Sequence, residues 1–310
     1  MRTITILIPA YNEDEVIIKL YQRLDKVLLD LPDYHWEILF VNDGSKDNTL
    51  DLIKELWQKD KRISYIGLSR NYGKETAMIA GLDHALGDAV ILIDADLQDP
   101  PELIPEMVKY WESGYDDVFA KRKCRLGETR LKKYTAAMFY KVLKKVTKIP
   151  IQENTGDFRL LDRRCVEALK QLRETQRYTK GMFSWIGFNK KEILFDRDPR
   201  VAGESKWNYF KLFDLAIEGI TSFTTAPLRL SSFLGGIISI FAFFYMTIVI
   251  IKTLIYGESV QGYPSLMVAI LFLGGIQLLS LGIIGEYIGR IFNETKRRPL
   301  YFVDEYNGKK

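Results

Sequence analysis

Through the first part of the chain, short continuous apolar runs alternate with longer stretches in which apolar residues recur every three or four positions. The run "TITILIPA" predicts a strand. "EDEVIIKLYQRLDKVLLDL" then predicts a helix with Val16, Leu20, Leu24, Val27 and Leu31 on one face. "WEILFVND" and a helix around "NTLDLIKELWQ" follow, then "ISYIGL" with "KETAMIAGLDHAL". "AVILIDAD" predicts a fourth strand, Pro100-Pro101 open the helix "ELIPEMVKYWESG", and "DDVFAKR" predicts a fifth strand. Uninterrupted Val, Ile and Leu runs separated by helices indicate a mostly parallel sheet, because a strand buried on both faces has no polar side to alternate with. The expected fold is α/β with helices on both faces of the sheet. Ligands of such sheets bind beyond the carboxyl ends of the strands.

Further along, the pattern changes. No charged residue occurs from Ser231 to Ile251, and none again from Ser259 to Gly285. About 20 apolar helical residues cross the hydrocarbon of a bilayer, so each run is long enough and two transmembrane helices are expected. Basic residues set the orientation. Lys206, Lys211 and Arg229 precede the first run, and Arg290, Lys296, Arg297 and Arg298 follow the second. The intervening "YGESVQGYP" has no Lys or Arg, and Lys252 near its start can snorkel outward. A multi-pass protein of the cell membrane is expected, with both termini and the α/β domain cytoplasmic. Two neighbouring stretches are amphipathic. "RLKKYTAAMFYKVLKKVTK" puts Leu131, Tyr134, Met138, Val142 and Val146 on one face, and "WNYFKLFDLAIEGI" does the same with Trp207, Phe210, Phe213, Ile217 and Ile220. Both suit helices lying in the membrane interface, with packing on the sheet as the alternative. The boundaries expected are 1–205 for the α/β domain, 206–229 for a juxtamembrane amphipathic helix, 230–290 for the two-helix membrane region and 291–310 for a cytoplasmic tail. Gly235-Gly236, Gly274-Gly275, Gly282 and Gly285 would permit close helix contacts and a homo-oligomer.

Composition narrows the classes. Of 310 residues, 47% are hydrophobic, enough for a sizeable core. A net charge of +4 implies no general affinity for nucleic acid. Cys124 and Cys165 give no disulfide framework, which suits a reducing compartment. "MRTITILIPAYNEDE" meets charges after one strand's worth of apolar residues, so no signal peptide is expected there.

The chemistry gathers at the predicted strand ends. These carry "PAYNE", "NDGS", "DADLQ" and "KRKCR", three tips with carboxylates and one basic tip on a single rim. Such a rim suits an anionic ligand carried with a cation. No G-x-G-x-x-G follows a strand, which removes the dinucleotide fingerprint. "GLSRNYGKE" fails as a P-loop: five residues separate Gly67 from Gly73, and Glu75 stands where Ser or Thr is needed. Lys74 therefore reads as a local or structural residue. Asp94-Ala95-Asp96 remains, and carboxylates beside a diphosphate suit Mg²⁺ or Mn²⁺. Asp99 reads as the N-cap of the helix that begins at the prolines.

Together, "PAYNE", "VNDGSKDNT", "DADLQDPPE", "NTGDFRLLDRR" and "RVAGESKWNYFKL" resemble family 2 inverting glycosyltransferases of GT-A, Rossmann-like fold. More closely they resemble the polyprenyl-phosphate glycosyltransferases, which include bactoprenol glucosyltransferases and dolichol-phosphate mannose synthases. No Q-x-x-R-W occurs, which separates the chain from processive polysaccharide synthases. The resemblance implies that Pro9, Tyr11, Glu13, Val41, Asp43, Asp94 and Ala95 hold the donor nucleotide, with strand-end packing as the alternative for Pro9 and Tyr11. It implies that Asp94, Asp96 and Gln98 reach Mg²⁺ or Mn²⁺. The resemblance also places Asp157 by acceptor and sugar as base or as positioning group, and pairing with Arg159 or Arg163 is the other role open to it. A phosphate monoester has a second pKa of about 6, so the acceptor is largely dianionic near neutrality and needs no strong base. Arg122, Arg200 and Lys206 are the expected partners of that phosphate, with Arg125 and Arg130 as further candidates. The activity implied is inverting transfer of a sugar, glucose foremost, from a UDP-sugar to undecaprenyl or another polyprenyl phosphate at the bilayer surface. Transfer of mannose or N-acetylhexosamine, and a catalytically silent lipid-binding scaffold, are the alternatives.

Overall fold

The structure is a computed structural model and describes residues 1–123, 155–175, 177, 179–196, 226–256 and 262–309. Arg125, Arg130, Arg200, Lys206 and both amphipathic stretches lie outside the described residues. The chain divides into two units, residues 1–216 with 298–310, and residues 217–297.

In the first unit, β1 (Arg2–Ala10), β2 (Tyr34–Asn42), β3 (Ile63–Leu68) and β4 (Ala89–Leu92) are the apolar runs of the sequence, buried on both faces. They pair in parallel in the order β4-β1-β2-β3. Helix α1 (Ile17–Leu29) buries Ile17, Leu20, Leu24, Val27 and Leu28. Leu20, Leu24 and Val27 of the expected stripe lie on that face, whereas Val16 is the buried N-cap and Leu31 falls past the end of the helix, half-buried. Together with α2 (Thr49–Lys59) and α4 (Ile104–Glu112) it encloses Ile4, Ile6 and Ile8 of β1 in one core cluster. Helix α3 (Lys74–His84) packs against β1 and β2. Close approach there depends on Gly81, where a Cβ would stand 2.0 Å from Leu7 Cδ1.

The sheet is mixed rather than mostly parallel. Beyond β5 (Asp117–Arg122) come β6 (Thr155–Asp162), helices α5 (Arg163–Gln171) and α6 (Thr179–Trp185), and β7 (Lys190–Phe195). The full order is β7-β5-β6-β4-β1-β2-β3-β8, with β8 at Val303–Tyr306. Strand β6 runs antiparallel to both β4 and β5, and β8 antiparallel to β3. These strands escape a pattern search for physical reasons. Asp157 and Arg159 interrupt the apolar run of β6, β7 begins with two lysines, and β8 has four residues. Strand β8 also places part of the 291–310 stretch within the sheet, so that segment is a structural edge and not a separate tail. There Lys54 Nζ pairs with Glu305 at 2.6 Å, and Tyr65 N–H donates to Asn307 Oδ1 at 2.8 Å.

A charge can sit inside β6 because Asp117 in the adjacent strand pairs with it. Arg159 and Asp117 are both 0% exposed and meet at 3.1 Å, and the guanidinium lies 3.7 Å from the Phe183 ring centroid. Burial pushes the Asp117 carboxyl up, and the charge of Arg159 opposes that shift. Removing one member of such a pair strands the other, at a cost of about 3–5 kcal/mol. Arg159→Met should lower the unfolding free energy by that order, and Arg159→Met with Asp117→Leu should recover most of it in thermal or denaturant melts.

The second unit contains α7 (Ala226–Tyr256) and α8 (Tyr263–Thr295), which lie against each other. Among the described residues one stretch, Phe272–Thr295, is long and apolar enough to cross a membrane, and Gly235–Tyr245 is a shorter apolar segment. Of the two expected spans, the second is thus met by length and composition among the described residues. Both helices expose large apolar side chains, including Phe241, Phe244, Leu254, Leu278 and Ile291. A Cβ built at Gly235, Gly236, Gly274, Gly275, Gly282 or Gly285 meets nothing within 4 Å.

Candidate active site

Parallel pairing aligns the carboxyl ends of the central strands, with Ala10 beside Asn42 and Asn42 beside Gly67. The loops that leave these ends are bonded to one another. Asn12 N–H donates to Ser45 Oγ at 3.0 Å, Lys46 N–H to Asn12 Oδ1 at 2.9 Å, and Glu13 N–H to Thr49 Oγ1 at 2.8 Å. Asn12 adopts φ 55°, the left-handed region that Asn tolerates better than most residues. Gly44, at φ +62°, is required on two counts: its backbone angle, and a virtual Cβ only 2.4 Å from the Arg70 carbonyl carbon. That close crossing brings the 69–73 loop over the tip of β2.

Asp43 shapes the same loop. It is 2% exposed, and its oxygens accept the N–H groups of Tyr72 at 2.7 Å and Gly73 at 2.9 Å. Burial pushes its carboxyl up, and the two N–H donors and the charge of Arg70 pull it back. Pro9 stands opposite Val41 in the β1–β2 register. Val41 is fully buried, whereas Pro9, Tyr11 and Glu13 are half-buried at the strand tip.

After β4 the chain alternates in burial. Ala95, Leu97 and Asp99 point inward, and Asp94, Asp96 and Gln98 are half-buried toward the rim. Leu97 sits at φ 59°, a conformation unfavourable for a branched side chain and maintained here by its burial. Asp96 Oδ1 accepts Gln98 N–H at 3.2 Å, closing the turn. Asp99 is not the expected cap. The helical turn Pro101–Leu103 has Pro100 at its N-cap position with no side-chain hydrogen bond, and Asp99 is buried one residue earlier. Its Oδ2 and Arg122 Nη2 both face Gly156, 3.9 and 3.6 Å from where a Cβ would stand.

Register brings Asp157 to this rim. Ala89 pairs with Asp162 and Leu92 with Arg159, so continuing the ladder past β4 sets Asp157 across from Asp94. The group that joins them is Lys74, the first residue of α3. Its Nζ lies 2.6 and 2.7 Å from the two Asp94 oxygens and 2.5 Å from Asp157 Oδ2. Side-chain exposures are 43% for Lys74, 23% for Asp94 and 14% for Asp157. Burial opposes charge on Lys74, but the two carboxylates outweigh it and hold the ammonium strongly protonated. Burial likewise opposes charge on Asp157, yet Lys74 first and then Lys180 and Arg159 bring its carboxyl down to about 2. Asp94 is pushed up by burial and by the charges of Asp157 and Asp96, against the pull of Lys74. Asp157 does not pair with Arg159 or Arg163. Arg159 binds Asp117, and Arg163 binds Glu167 and the Ala85 carbonyl.

Two cations were missed by pattern reading. The P-loop-like segment hides Lys74, although it carries a signal: a lysine at a helix N-terminus opposes the helix dipole and needs nearby anions. Lys180, near the start of α6, has no motif around it. Thr179 N–H reaches the Glu75 carboxylate at 3.4 Å, which ties the start of α6 to the start of α3. Burial pushes the Lys180 ammonium down, and Asp157 is the anion that supports it.

The shift of Asp157 has a pH consequence. With its value near 2, below the ordinary 3.8, the carboxylate is charged throughout the neutral range. Its contribution to stability is complete above the ordinary value and is lost as pH falls toward 2. Asp157→Asn should therefore lower the catalytic rate by the same factor at pH 5 and pH 8. An acidic limb present in the wild type and absent from the variant would make Asp157 a titrating base instead.

Among the described residues no group of three or more His, Cys, Asp or Glu is arranged to hold a metal ion. The donor set on the 94–98 stretch is two carboxylates and one amide. That set fits a hard cation which takes its remaining ligands from a diphosphate and water, and does not fit a closed protein cage. A cavity of about 440 Å³ lined by Arg2, Trp111, Asp116 and Arg164 lies at the other, amino-terminal end of β1.

Residues 5–170 match the family described as glycosyl transferase family 2, and residues 226–291 match the GtrB C-terminal hairpin. An uncharacterized glycosyltransferase of Synechocystis sp. is 53% identical, covering 98% of this chain and 96% of its own. The bactoprenol glucosyl transferase of Shigella phage SfV is 48% identical over 97% of each chain. A prophage bactoprenol glucosyl transferase homolog of Escherichia coli is 46% identical, over 97% of this chain and 98% of its own. Mannosyl-3-phosphoglycerate synthase from Rubrobacter xylanophilus shares the fold, with a TM-score of 0.50 at 17% identity over 71% of this chain and 72% of that one. The chain thus belongs to glycosyl transferase family 2, in the branch that carries a C-terminal helical hairpin after the catalytic unit.

Proposed function

We propose that this enzyme transfers glucose from UDP-glucose to the phosphate of a polyprenyl lipid, with inversion at the anomeric carbon. The observation that carries the reading is the convergence of Asp94, Asp96 and Asp157 with Lys74 on the sheet rim, in a chain whose full-length relatives are named bactoprenol glucosyl transferases. A phosphate oxygen of the lipid bonds to the sugar carbon as the bond to the nucleoside diphosphate breaks, and UDP leaves.

Each residue has a role in that step. Asp94, Asp96 and Gln98 would hold Mg²⁺ or Mn²⁺, which when bound supplies positive charge for the departing diphosphate. Pro9, Tyr11, Glu13, Val41, Asp43 and Ala95 line the nucleoside side. Asp43 acts there by holding the 69–73 loop, since its oxygens already accept that loop's N–H groups. Asp157 positions Lys74 and faces Lys180, and acts on the incoming phosphate through these cations. Arg122 supports the acceptor phosphate, and Arg200 and Lys206 are proposed for the same task.

Incubation of the purified protein with labelled UDP-glucose, undecaprenyl phosphate and MgCl₂ or MnCl₂ tests this reading. A glucosylated lipid and UDP in equal amounts are the expected products. UDP-N-acetylhexosamine or GDP-mannose used in preference to UDP-glucose would move the reading to another sugar. No transfer with any donor would favour a scaffold.

The exposed apolar faces of α7 and α8, and the basic residues outside the two runs, support a hairpin that crosses the membrane twice with the catalytic unit cytoplasmic. A tag at Lys310 should be protected in intact cells, and a cysteine at Ser259 should react with an impermeant thiol reagent. The opposite pattern would invert the topology.

A further inference from the structure

We propose that Lys74 is a positioning residue of the reaction: it is the counter-cation that joins Asp94 to Asp157, and it yields Asp94 when donor and metal enter together. This rests on the assignment of Asp94 and Asp96 as metal ligands made above. The geometry points to a specific exchange. Asp157 lies in β6 and Asp94 two residues past the end of the adjacent antiparallel β4, and the two would repel each other if nothing lay between them. The ammonium fills that place, bonded to both Asp94 oxygens and to Asp157 Oδ2.

A divalent ion arriving alone must compete with this ammonium for Asp94, and would then face an unscreened positive charge a few ångströms away. A diphosphate arriving with the ion changes the balance, because its oxygens offer both cations new partners. Lys74 is suited to such a handover. Its side chain is the most exposed of the three. Its backbone is fixed, because the preceding Gly73 N–H is held by Asp43 at 2.9 Å. The tether allows Nζ to leave Asp94 while staying on Asp157, so the latter remains aimed during the reaction. Metal is thereby admitted with the donor and not ahead of it.

The test is Mn²⁺ binding, followed by the electron paramagnetic resonance signal of free Mn²⁺ with the full-length protein, without nucleotide and with UDP-glucose. In the wild type, Mn²⁺ alone should bind weakly and UDP-glucose should strengthen it. Lys74→Met should tighten binding of Mn²⁺ alone by about tenfold or more and shrink the enhancement by UDP-glucose. Should that variant not fold by thermal melt, Lys74→Gln, which keeps an N–H donor for Asp157, carries the same expectation. Lys180→Met removes a charge that acts on Asp157 without a bond to Asp94, and should change Mn²⁺ binding far less. Equal tightening in Lys180→Met, or none in either Lys74 variant, overturns the proposal. Asp96→Asn separates this outcome from the metal assignment. If Asp96→Asn binds Mn²⁺ with UDP-glucose as the wild type does, the ligand assignment itself fails. If it loses the ion while Lys74→Met binds Mn²⁺ alone like the wild type, only the role of Lys74 fails.

Discussion

Asp96→Asn is expected to lower turnover by about two to three orders of magnitude while leaving the fold intact. The fold should survive because the turn uses one oxygen of Asp96 to accept Gln98 N–H, and Asn retains an oxygen there. Leu97 and Ala95, the buried residues on either side, are untouched. What disappears is the negative charge on the half-buried side of the turn, where the diphosphate-bound cation is proposed to sit. A site of only two carboxylates and an amide has little redundancy, so one lost charge removes a large share of the attraction. Thermal melting should superimpose on the wild type, and raising MgCl₂ or MnCl₂ should restore part of the lost rate. Turnover equal to the wild type at low metal would show that Asp96 is not a ligand.

Asp157→Asn should reduce turnover by about a hundredfold or more, with the apparent KM for UDP-glucose within a few-fold of the wild type. The donor side, at Asp43 and the 94–98 stretch, is built by other loops and keeps its hydrogen bonds. The variant loses the charge that meets Lys74 at 2.5 Å and faces Lys180. Lys74 and Lys180 then lose the anion that fixes them, and the anionic nucleophile meets cations that are no longer held in place. Arg122→Ala should behave differently, raising the KM for polyprenyl phosphate about tenfold or more through loss of a charge-assisted contact. Calorimetry with UDP-glucose, followed by steady-state assays at varied lipid, separates the two. Loss of UDP-glucose binding in Asp157→Asn would move that residue to the donor side.

What the sequence alone determined follows from local physics. Continuous apolar runs specify β1 to β4, since a strand with two buried faces needs no alternation, and the i, i+4 spacing of Leu20 and Leu24 specifies which face α1 buries. Strand tips at one end of a parallel sheet also make "PAYNE", "NDGS" and "DADLQ" neighbours. The rest was decided by partners distant in sequence. Arg159 could enter a strand interior only because Asp117 meets it in the adjacent strand, and nothing within "TGDFRLLD" reveals that. The edge formed by Val303–Tyr306 exists because β3 offered an unpaired side, which a four-residue segment can fill but cannot announce. Asp99 has the composition of a helix cap, yet burial beside Gly156 and Arg122 assigns it elsewhere. Lys74 is the sharpest case. Its chemistry depends on the antiparallel register that sets Asp157 opposite Asp94, a relation between residues 63 positions apart that only the tertiary fold creates.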